Sequence, residues 1–333
     1  MKRVRFAPSP TGSLHVGNAL SAVANRTFGD WLLLRIDDTD PQRNVPGGEA
    51  EILRDLEWLG IAWDEGPARQ SERNERHREE AERLGVDRFD GITLVREDGT
   101  PTYHLASVVD DADFGITHVI RGNDHRPNEA LHRRLHQALG TMPPEYLHHG
   151  LILGEDGRKL SKRAPGATVT SLREEGVPPE GVRRYLEELG MPKHDVRYDL
   201  ARIRRLSVEA IAAMPDEELA ERVGAPPELV PALRGARDLN EARDFAAAIL
   251  EPASSGLVLT EEARPTLERF RELLERANGT ADARELVREL KAVGGDLRAL
   301  RLALTGRDRG PELWAVVAAL PKDEALRRID AAL

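Results

Sequence analysis

The chain contains no cysteine. That excludes a disulfide framework, a thiolate nucleophile and any Cys-ligated zinc or iron–sulfur site. Aromatic residues make up only 4% of it, while Ala, Leu, Arg and Glu abound, a composition that favours helix. No apolar run approaches the ~18 residues of a membrane span. The opening Met1-Lys2-Arg3-Val4-Arg5-Phe6-Ala7-Pro8 has no apolar signal-peptide core. The expectation is a cytoplasmic protein with no membrane partner. An excess of basic residues is lacking too. Lys and Arg number 48 against 58 Asp and Glu, a net charge of −10, and no basic tail advertises nucleic-acid binding. An acidic total leaves such binding open, because local patches set the field at a docking surface.

What is present is a chain of 333 residues, 40% apolar and 32% charged, long enough for two or three domains. Its first half alternates apolar runs with helical patterns. Strands are expected at 4–7, 31–36, 93–96, 117–121 and 146–153, and helices at 17–28, 49–59, 71–84 and 128–139. Such alternation predicts an α/β fold, a doubly wound, Rossmann-type parallel sheet. After Arg163 strand signals nearly vanish. Amphipathic helices are expected at 171–175, 179–189, 207–214, 216–223, 241–250, 260–277 and 281–293, punctuated by Gly and Pro. The division expected is a catalytic α/β domain over 1–165, a linker over 166–205 and an all-α region over 206–333.

Two clusters carry chemistry. Pro8-Ser9-Pro10-Thr11-Gly12-Ser13-Leu14-His15-Val16-Gly17-Asn18 follows the first strand and opens the first helix. A helix N-terminus there presents free N–H groups to an anion. His15 and Asn18, three apart, share one face of the opening turn, and both can donate to phosphate oxygens. Gly17 leaves room for a flat base on bare backbone. Alone, the cluster also reads as a Pro-rich turn with a capped helix. The second cluster, Gly157-Arg158-Lys159-Leu160-Ser161-Lys162-Arg163, packs four cations into six residues. That suits a triphosphate, and Lys can neutralise charge growing on a leaving pyrophosphate. Alone, it also reads as a solvated basic loop.

Together, the clusters resemble the two signatures of class I aminoacyl-tRNA synthetases: His-Val-Gly-Asn the His-Ile-Gly-His element, and Lys-Leu-Ser-Lys-Arg the Lys-Met-Ser-Lys-Ser element. Their order and their places at the two ends of one α/β domain agree. Further segments resemble bacterial glutamyl-tRNA synthetases: Arg35-Ile36-Asp37-Asp38-Thr39-Asp40, Gln70-Ser71-Glu72-Arg73, Pro101-Thr102-Tyr103-His104-Leu105-Ala106, Val108-Val109-Asp110-Asp111, Val119-Ile120-Arg121-Gly122, Leu302-Ala303-Leu304-Thr305-Gly306 and Gly310-Pro311-Glu312-Leu313. The resemblance implies a glutamate–tRNA ligase with L-glutamate, ATP and tRNA(Glu) as partners, Mg²⁺ carried in with ATP, no zinc, and a monomer. It places His15, Gly17, Asn18, Lys159 and Lys162 at the catalytic centre. Arg5 falls on the side-chain carboxylate of glutamate, Ser9 and Asp37 on its α-amino group, and Ala7, Tyr103, Ser107 and Arg121 around the same pocket. ATP falls to His15, Gly17, Asp124, Ile152, Lys159, Leu160, Ser161, Lys162 and Arg163. His125 reads as a pocket wall, since the nearby histidines lack metal-ligand spacing with acidic partners.

The chain departs from the resemblance in three ways. The family implies a longer chain, with an acceptor-end-binding insertion where only residues 74–100 are available here, room for a strand or a hairpin arm. Asp37 stands where Glu is usual, and Ser107 where related enzymes have Asn. The shortening leaves the acceptor arm to scattered arginines such as Arg173, Arg183 and Arg184. It also keeps two other readings open. One is an enzyme that forms glutamyl-adenylate but glutamylates a modified tRNA base or a carrier protein; the other is a non-catalytic tRNA-binding paralogue. The helical end argues against the first, and intact His15, Gly17, Lys159 and Lys162 argue against the second.

Overall fold

The first strand, β1 (Arg3–Phe6), is short and buried, and the Pro-rich loop leaves it directly for helix α1 (Val16–Phe28). The computed structural model describes residues 1–251, 261–276 and 282–333. Within them the chain forms two units, Met1–Glu174 with Val182–Ile203, and Glu175–Gly181 with Arg204–Leu333.

In the first unit, β2 (Trp31–Ile36) is an almost unbroken apolar run buried along its length, as expected of a parallel strand covered on both faces. Helix α2 (Gly48–Trp58) leads to β3 (Glu65–Arg69). β1, β2 and β3 form a parallel three-stranded sheet in that order. Helix α3 (Asn74–Leu84) follows a single tight turn at Gln70–Arg73, and β4 (Arg88–Phe89) and β5 (Ile92–Thr93) make a minimal hairpin. Helix α4 (Tyr103–Asp113), strand β6 (His118–Gly122), helix α5 (Glu129–Ala138) and strand β7 (Glu145–His149) complete a second parallel pair, β6 with β7. The expected α/β class with a parallel sheet is what the first unit shows.

Three differences have physical causes. α4 was not expected, although Leu105, Val108 and Val109 recur at helical spacing. β3 was not expected because Gly66-Pro67 sits inside it, and Pro lacks a ladder donor. The strand expected over 146–153 is two: β7, then β8 (Ile152–Leu153), which pairs not with β6 but with β9 (Val196–Arg197). Gly150 makes that break possible, since a Cβ there would lie 1.9 Å from the His194 carbonyl oxygen. Helices α6 (Val169–Glu174) and α7 (Pro179–Leu189) close the first half of the chain.

The second unit is helical. Helix α8 (Leu200–Ala213) starts earlier than expected and runs into it. There follow α9 (Asp216–Val223), α10 (Val230–Leu233), α11 (Leu239–Leu250), α12 (Arg264–Arg276), α13 (Ala283–Ala292), α14 (Leu297–Thr305), α15 (Leu313–Ala319) and α16 (Lys322–Asp330). The expected helix ends at Thr260, Ala277 and Ala281 lie outside the described residues. Asp238, Asp282 and Asp296 cap α11, α13 and α14 through their carboxylates. Phe270, Leu267, Leu290, Leu300, Val316 and Ile329 lie in one buried aliphatic cluster. Among the described residues no helix is long and apolar enough to cross a membrane.

Candidate active site

The Pro-rich loop is held from below. Asp55 on α2, fully buried, accepts from the Leu14 N–H at 2.8 Å and the Ser13 hydroxyl at 2.7 Å. α2 comes this close because its first residue is Gly48, where a Cβ would lie 2.4 Å from the Pro10 carbonyl oxygen. The loop meets the chain after the second cluster through backbone bonds: Val16 N–H to Ala167 O at 2.9 Å and Val169 N–H to Leu14 O at 2.9 Å. The two clusters, some 140 residues apart in sequence, are thereby neighbours. The Lys162 ammonium donates to the carbonyls of Thr11 at 3.0 Å and Ser13 at 3.2 Å.

A cleft of about 570 Å³ opens at the C-terminal ends of β1, β2, β6 and β7, the usual place for ligands in an open parallel sheet. Arg5, Ala7, Ser9, His15, Gly17, Asn18, Asp37, Tyr103, Arg121, Asp124, Ile152 and Lys159 all line it, and His125 forms part of its wall. The structure does not bring Ser107, Leu160, Ser161, Lys162 or Arg163 to the wall. Ser107 and Leu160 are buried behind it. Ser161 accepts from the Arg163 N–H, and the Arg163 side chain is exposed. Lys162 reaches the cleft only by way of Thr11, which lines it.

At one end of the cleft His15 caps α1, its Nδ1 accepting from the Gly17 N–H at 3.0 Å. Burial, with Lys162 and Lys159 nearby, lowers its pKa to about 4, so the ring is neutral at pH 7. A neutral ring that accepts at Nδ1 carries its proton at Nε2. That Nε2 is buried and has no partner at full hydrogen-bond geometry, with the Leu160 backbone nearby the only protein group that favours its proton. Lys159 and Asp124 pair at 2.6 Å on the same side. Burial would raise the Asp124 carboxyl, but the Lys159 hydrogen bond pulls it below its ordinary value.

At the other end Arg5 and Arg121 are 5% and 6% exposed. Arg121 donates from Nε to His148 Nε2 at 3.3 Å and from Nη1 to the Tyr103 hydroxyl at 3.4 Å. Neither partner is a carboxylate, and burial with Arg121 itself lowers the His148 pKa to about 4, which leaves that ring neutral at pH 7. Its Nη2 is buried with no partner. Arg5 donates Nε to Asp111 Oδ1 at 3.2 Å. A buried guanidinium without a carboxylate is costly, so this end is built to receive an anion, and a planar fork suits a carboxylate.

Two site residues were missed in the sequence: Arg35 and Asp111. Arg35 is fully buried and bonds Asp37, Asp111 and Ser107. Burial alone would lower its pKa, but Asp37 and Asp111 beside it raise it above the ordinary value. Asp37 is raised by its own burial, with Arg35 pulling the other way. In the sequence Arg35 belongs to a family-like segment and is the polar residue of an apolar strand, and neither feature gives it a role of its own. Behind the pair, Asp110 accepts from His77 at 2.7 Å, Arg73 at 2.8 Å and Gln70 at 2.9 Å. Burial opposes ionisation there, yet those partners and Arg35 hold it down at about 2. The arginines expected on the acceptor arm are engaged internally: Arg173 with Asp55, Arg183 with Glu187 and the Gly60 carbonyl, Arg184 with Glu188. Among the described residues no cluster of His, Asp or Glu could hold a metal ion.

Against this geometry stand the comparisons with known proteins. The catalytic-domain model of class I tRNA synthetases for E and Q matches residues 1–86 and 82–208, and an anticodon-binding-domain model matches residues 217–333. Glutamate–tRNA ligase 1 of Rubrobacter xylanophilus is 36% identical, covering 99% of this chain and 97% of that protein. The match runs over 419 positions while the chain has 333 residues, so the relative carries segments that this chain lacks. The glutamate–tRNA ligase of Akkermansia muciniphila is 32% identical, covering 98% of each chain. The crystal structure of a glutamate tRNA ligase from Elizabethkingia meningosepticum, in complex with its amino acid, superposes with a TM-score of 0.79 over 99% of each chain at 24% identity.

Proposed function

The chain belongs to the class I tRNA synthetases for glutamate and glutamine, and on that premise we propose that it is an ATP-dependent glutamate–tRNA ligase acting in the cleft described above. The glutamate α-carboxylate attacks the α-phosphorus of MgATP and pyrophosphate leaves. The ribose hydroxyl of the tRNA 3′ end then attacks the acyl carbon of glutamyl-adenylate and AMP leaves. Neither step needs a protein nucleophile. The chain's contribution is positioning and charge stabilisation.

The observation that carries the amino-acid assignment is the Arg121 guanidinium, buried with Nη2 unpartnered beside the Tyr103 hydroxyl and the neutral His148 ring. With Arg5 it offers the side-chain carboxylate of glutamate a charge-assisted fork, which the amide of glutamine cannot match. Asp37 and Ser9 take the α-ammonium, with Ala7 and Tyr103 closing the pocket and Ser107 supporting it from behind. His15 Nε2–H and the Asn18 amide donate to phosphate oxygens, and Gly17 and Ile152 face the adenine. Asp124 holds Lys159 until the nucleotide arrives, and Lys159, Lys162 and the Leu160–Ser161–Arg163 loop meet the leaving pyrophosphate. Mg²⁺ arrives as part of the substrate, and no zinc is required. The anticodon-domain match over 217–333 supports tRNA as the acceptor rather than a carrier protein. Residues 74–100 stand in place of the longer insertion of relatives. We take the protein to act as a cytoplasmic monomer.

The test is aminoacylation with total tRNA and labelled glutamate, followed by identification of the charged species. Label released by mild alkali, on tRNA(Glu), is expected. Label that resists alkali would place glutamate on a base and overturn the 3′-end assignment.

A further inference from the structure

The side chains of Arg5 and Asp37 both face the cleft, yet neither hydrogen-bonds to another side chain of the cleft wall. Both are fixed through residues buried behind it. Arg5 Nε donates to Asp111 Oδ1 at 3.2 Å, and the same oxygen accepts Arg35 Nη1 at 2.9 Å. Arg35 then grips both oxygens of Asp37, Nε to Oδ1 at 2.7 Å and Nη2 to Oδ2 at 3.1 Å. Nη2 also reaches the Ser107 hydroxyl at 3.3 Å and Nη1 the Ser107 carbonyl at 3.5 Å. Every donor group of the guanidinium is engaged, and the side chain has no exposed surface. The result is a chain of alternating charge, Arg5–Asp111–Arg35–Asp37, with a cation at one cleft-facing end and an anion at the other.

Such an arrangement has little freedom. A guanidinium is planar, and its bonds to Asp37 and Asp111 leave in fixed directions from one plane. The strand carrying Arg5 and the strand carrying Arg35 and leading to Asp37 are adjacent and in parallel register, Arg5 opposite Leu33. The distance between the two cleft-facing ends is therefore set from behind by α4, which supplies Ser107 and Asp111. In an amino diacid, that distance corresponds to the span from the α-ammonium to the side-chain carboxylate.

We infer that Arg35, with Asp111 and Ser107, is a positioning element that sets this span and so selects glutamate over the shorter aspartate. It touches neither amino acid nor ATP. It rests on the proposed glutamate-activating reaction and adds to it a determinant of chain length. Loosening the clamp should let Asp37 swing away from its fixed separation from Arg5. Glutamate then loses the advantage of fitting both ends at once, and aspartate loses less. Displacing a bound group by ~1 Å can cost up to ~10²-fold.

The experiment is ATP–pyrophosphate exchange with glutamate or aspartate, run with and without total tRNA, on the intact protein and on Arg35→Lys, which keeps the charge but loses the fork. The expected result is a rise of about tenfold in the KM for glutamate. The KM for ATP should stay within about twofold, kcat should fall less than KM rises, and the glutamate-to-aspartate ratio of kcat/KM should narrow about fivefold. Ser107→Ala, which removes one neutral acceptor, should move the same quantities the same way by about threefold. It decides the matter if Arg35→Lys does not fold. An unchanged glutamate-to-aspartate ratio in a folded variant overturns the inference, and so does an equal rise in the KM for ATP, which marks a general structural role. Absence of any glutamate-dependent exchange in the unmodified protein would instead overturn the proposed reaction itself.

Discussion

The two units of the chain bury different things. All ten histidines fall within residues 1–203, and the sequence from Arg204 onward has none. Among the described residues sixteen buried polar or charged side chains belong to the first unit, including Arg5, Arg35, Asp37, Asp55, Asp110 and Arg121. The second has four, Ser207, Thr266, Thr305 and Arg328. Its one buried charge, Arg328, is spent on the carbonyls of Leu304 and Ile249 and on Glu324. Its remaining charges sit mostly in exposed Arg–Glu pairs along helices, such as Arg288 with Glu285. A unit that must hold reactive anions keeps fixed donors away from water, at a desolvation cost that only dense pairing offsets. The helical unit fills its interior with aliphatic side chains instead.

The sharpest way to break this contrast is to damage one unit and look for the effect in the other. Phe270, fully buried in the aliphatic cluster, should cost about 3–5 kcal/mol when changed to Ala. Calorimetry should show that loss in the second unit's transition, while glutamate activation well below the midpoint stays normal; a matching fall in activation would dissolve the division of labour. The converse substitution, Lys162→Ala, should cut the activation rate by at least ~10², about 2.7 kcal/mol at the transition state. The thermal midpoint should hardly move, and near-normal pyrophosphate exchange would remove the second cluster from the mechanism.

Acid should separate the units by a smaller margin. His15 and His148 have folded pKa values of about 4 against an unfolded value near ~6.5. Below the unfolded value the unfolded chain takes up protons that the folded one refuses, so stability falls as pH drops from about 6.5 towards 4. The loss is on the order of 1 kcal/mol per group by pH 5. The first unit's midpoint should drop between pH 7 and pH 5 while the second unit's, with no histidine to titrate, stays put. Equal movement would mean that carboxylates govern both. The smallest effect should come from Arg288→Ala. Its pair is exposed on both sides, 76% and 66%, and exposed pairs of this kind contribute little, so the melting curve should superpose on that of the unmodified protein.

Much of this was readable in advance, and the parts that were not share a cause. The run Trp31–Ile36, helix α1 and the two cationic and Pro-rich clusters are local signals, carried by neighbours in sequence. Arg35 is also local, but its meaning is not. Alternation within a strand would send it to a solvated face, whereas a strand covered on both faces has none, and only Asp111, 76 residues on, makes the position tolerable. Helix α4 lay hidden because Asp110 and Asp111, which interrupt its apolar spacing in the sequence, are themselves buried and paired within the charged network. Twelve of the residues named through the resemblance line the cleft. Ser107, Leu160, Ser161, Lys162 and Arg163, named with them, do not, and Lys162 is held by the carbonyls of Thr11 and Ser13.

The ion pair between Lys159 and Asp124 has one more consequence. A cationic site standing open would draw in any polyanion from the cell, nucleotide or not, and would do so most strongly at low salt. Here the lysine already has a counter-ion, supplied by the protein at 2.6 Å. In the proposed reaction ATP does not fill a vacancy but trades places with a tethered competitor, as a solute does on an ion-exchange resin. Part of the electrostatic gain is returned in breaking the internal pair. Nucleotide affinity should therefore depend on ionic strength less steeply than the number of lysines suggests, and on the shape of the adenosine pocket more.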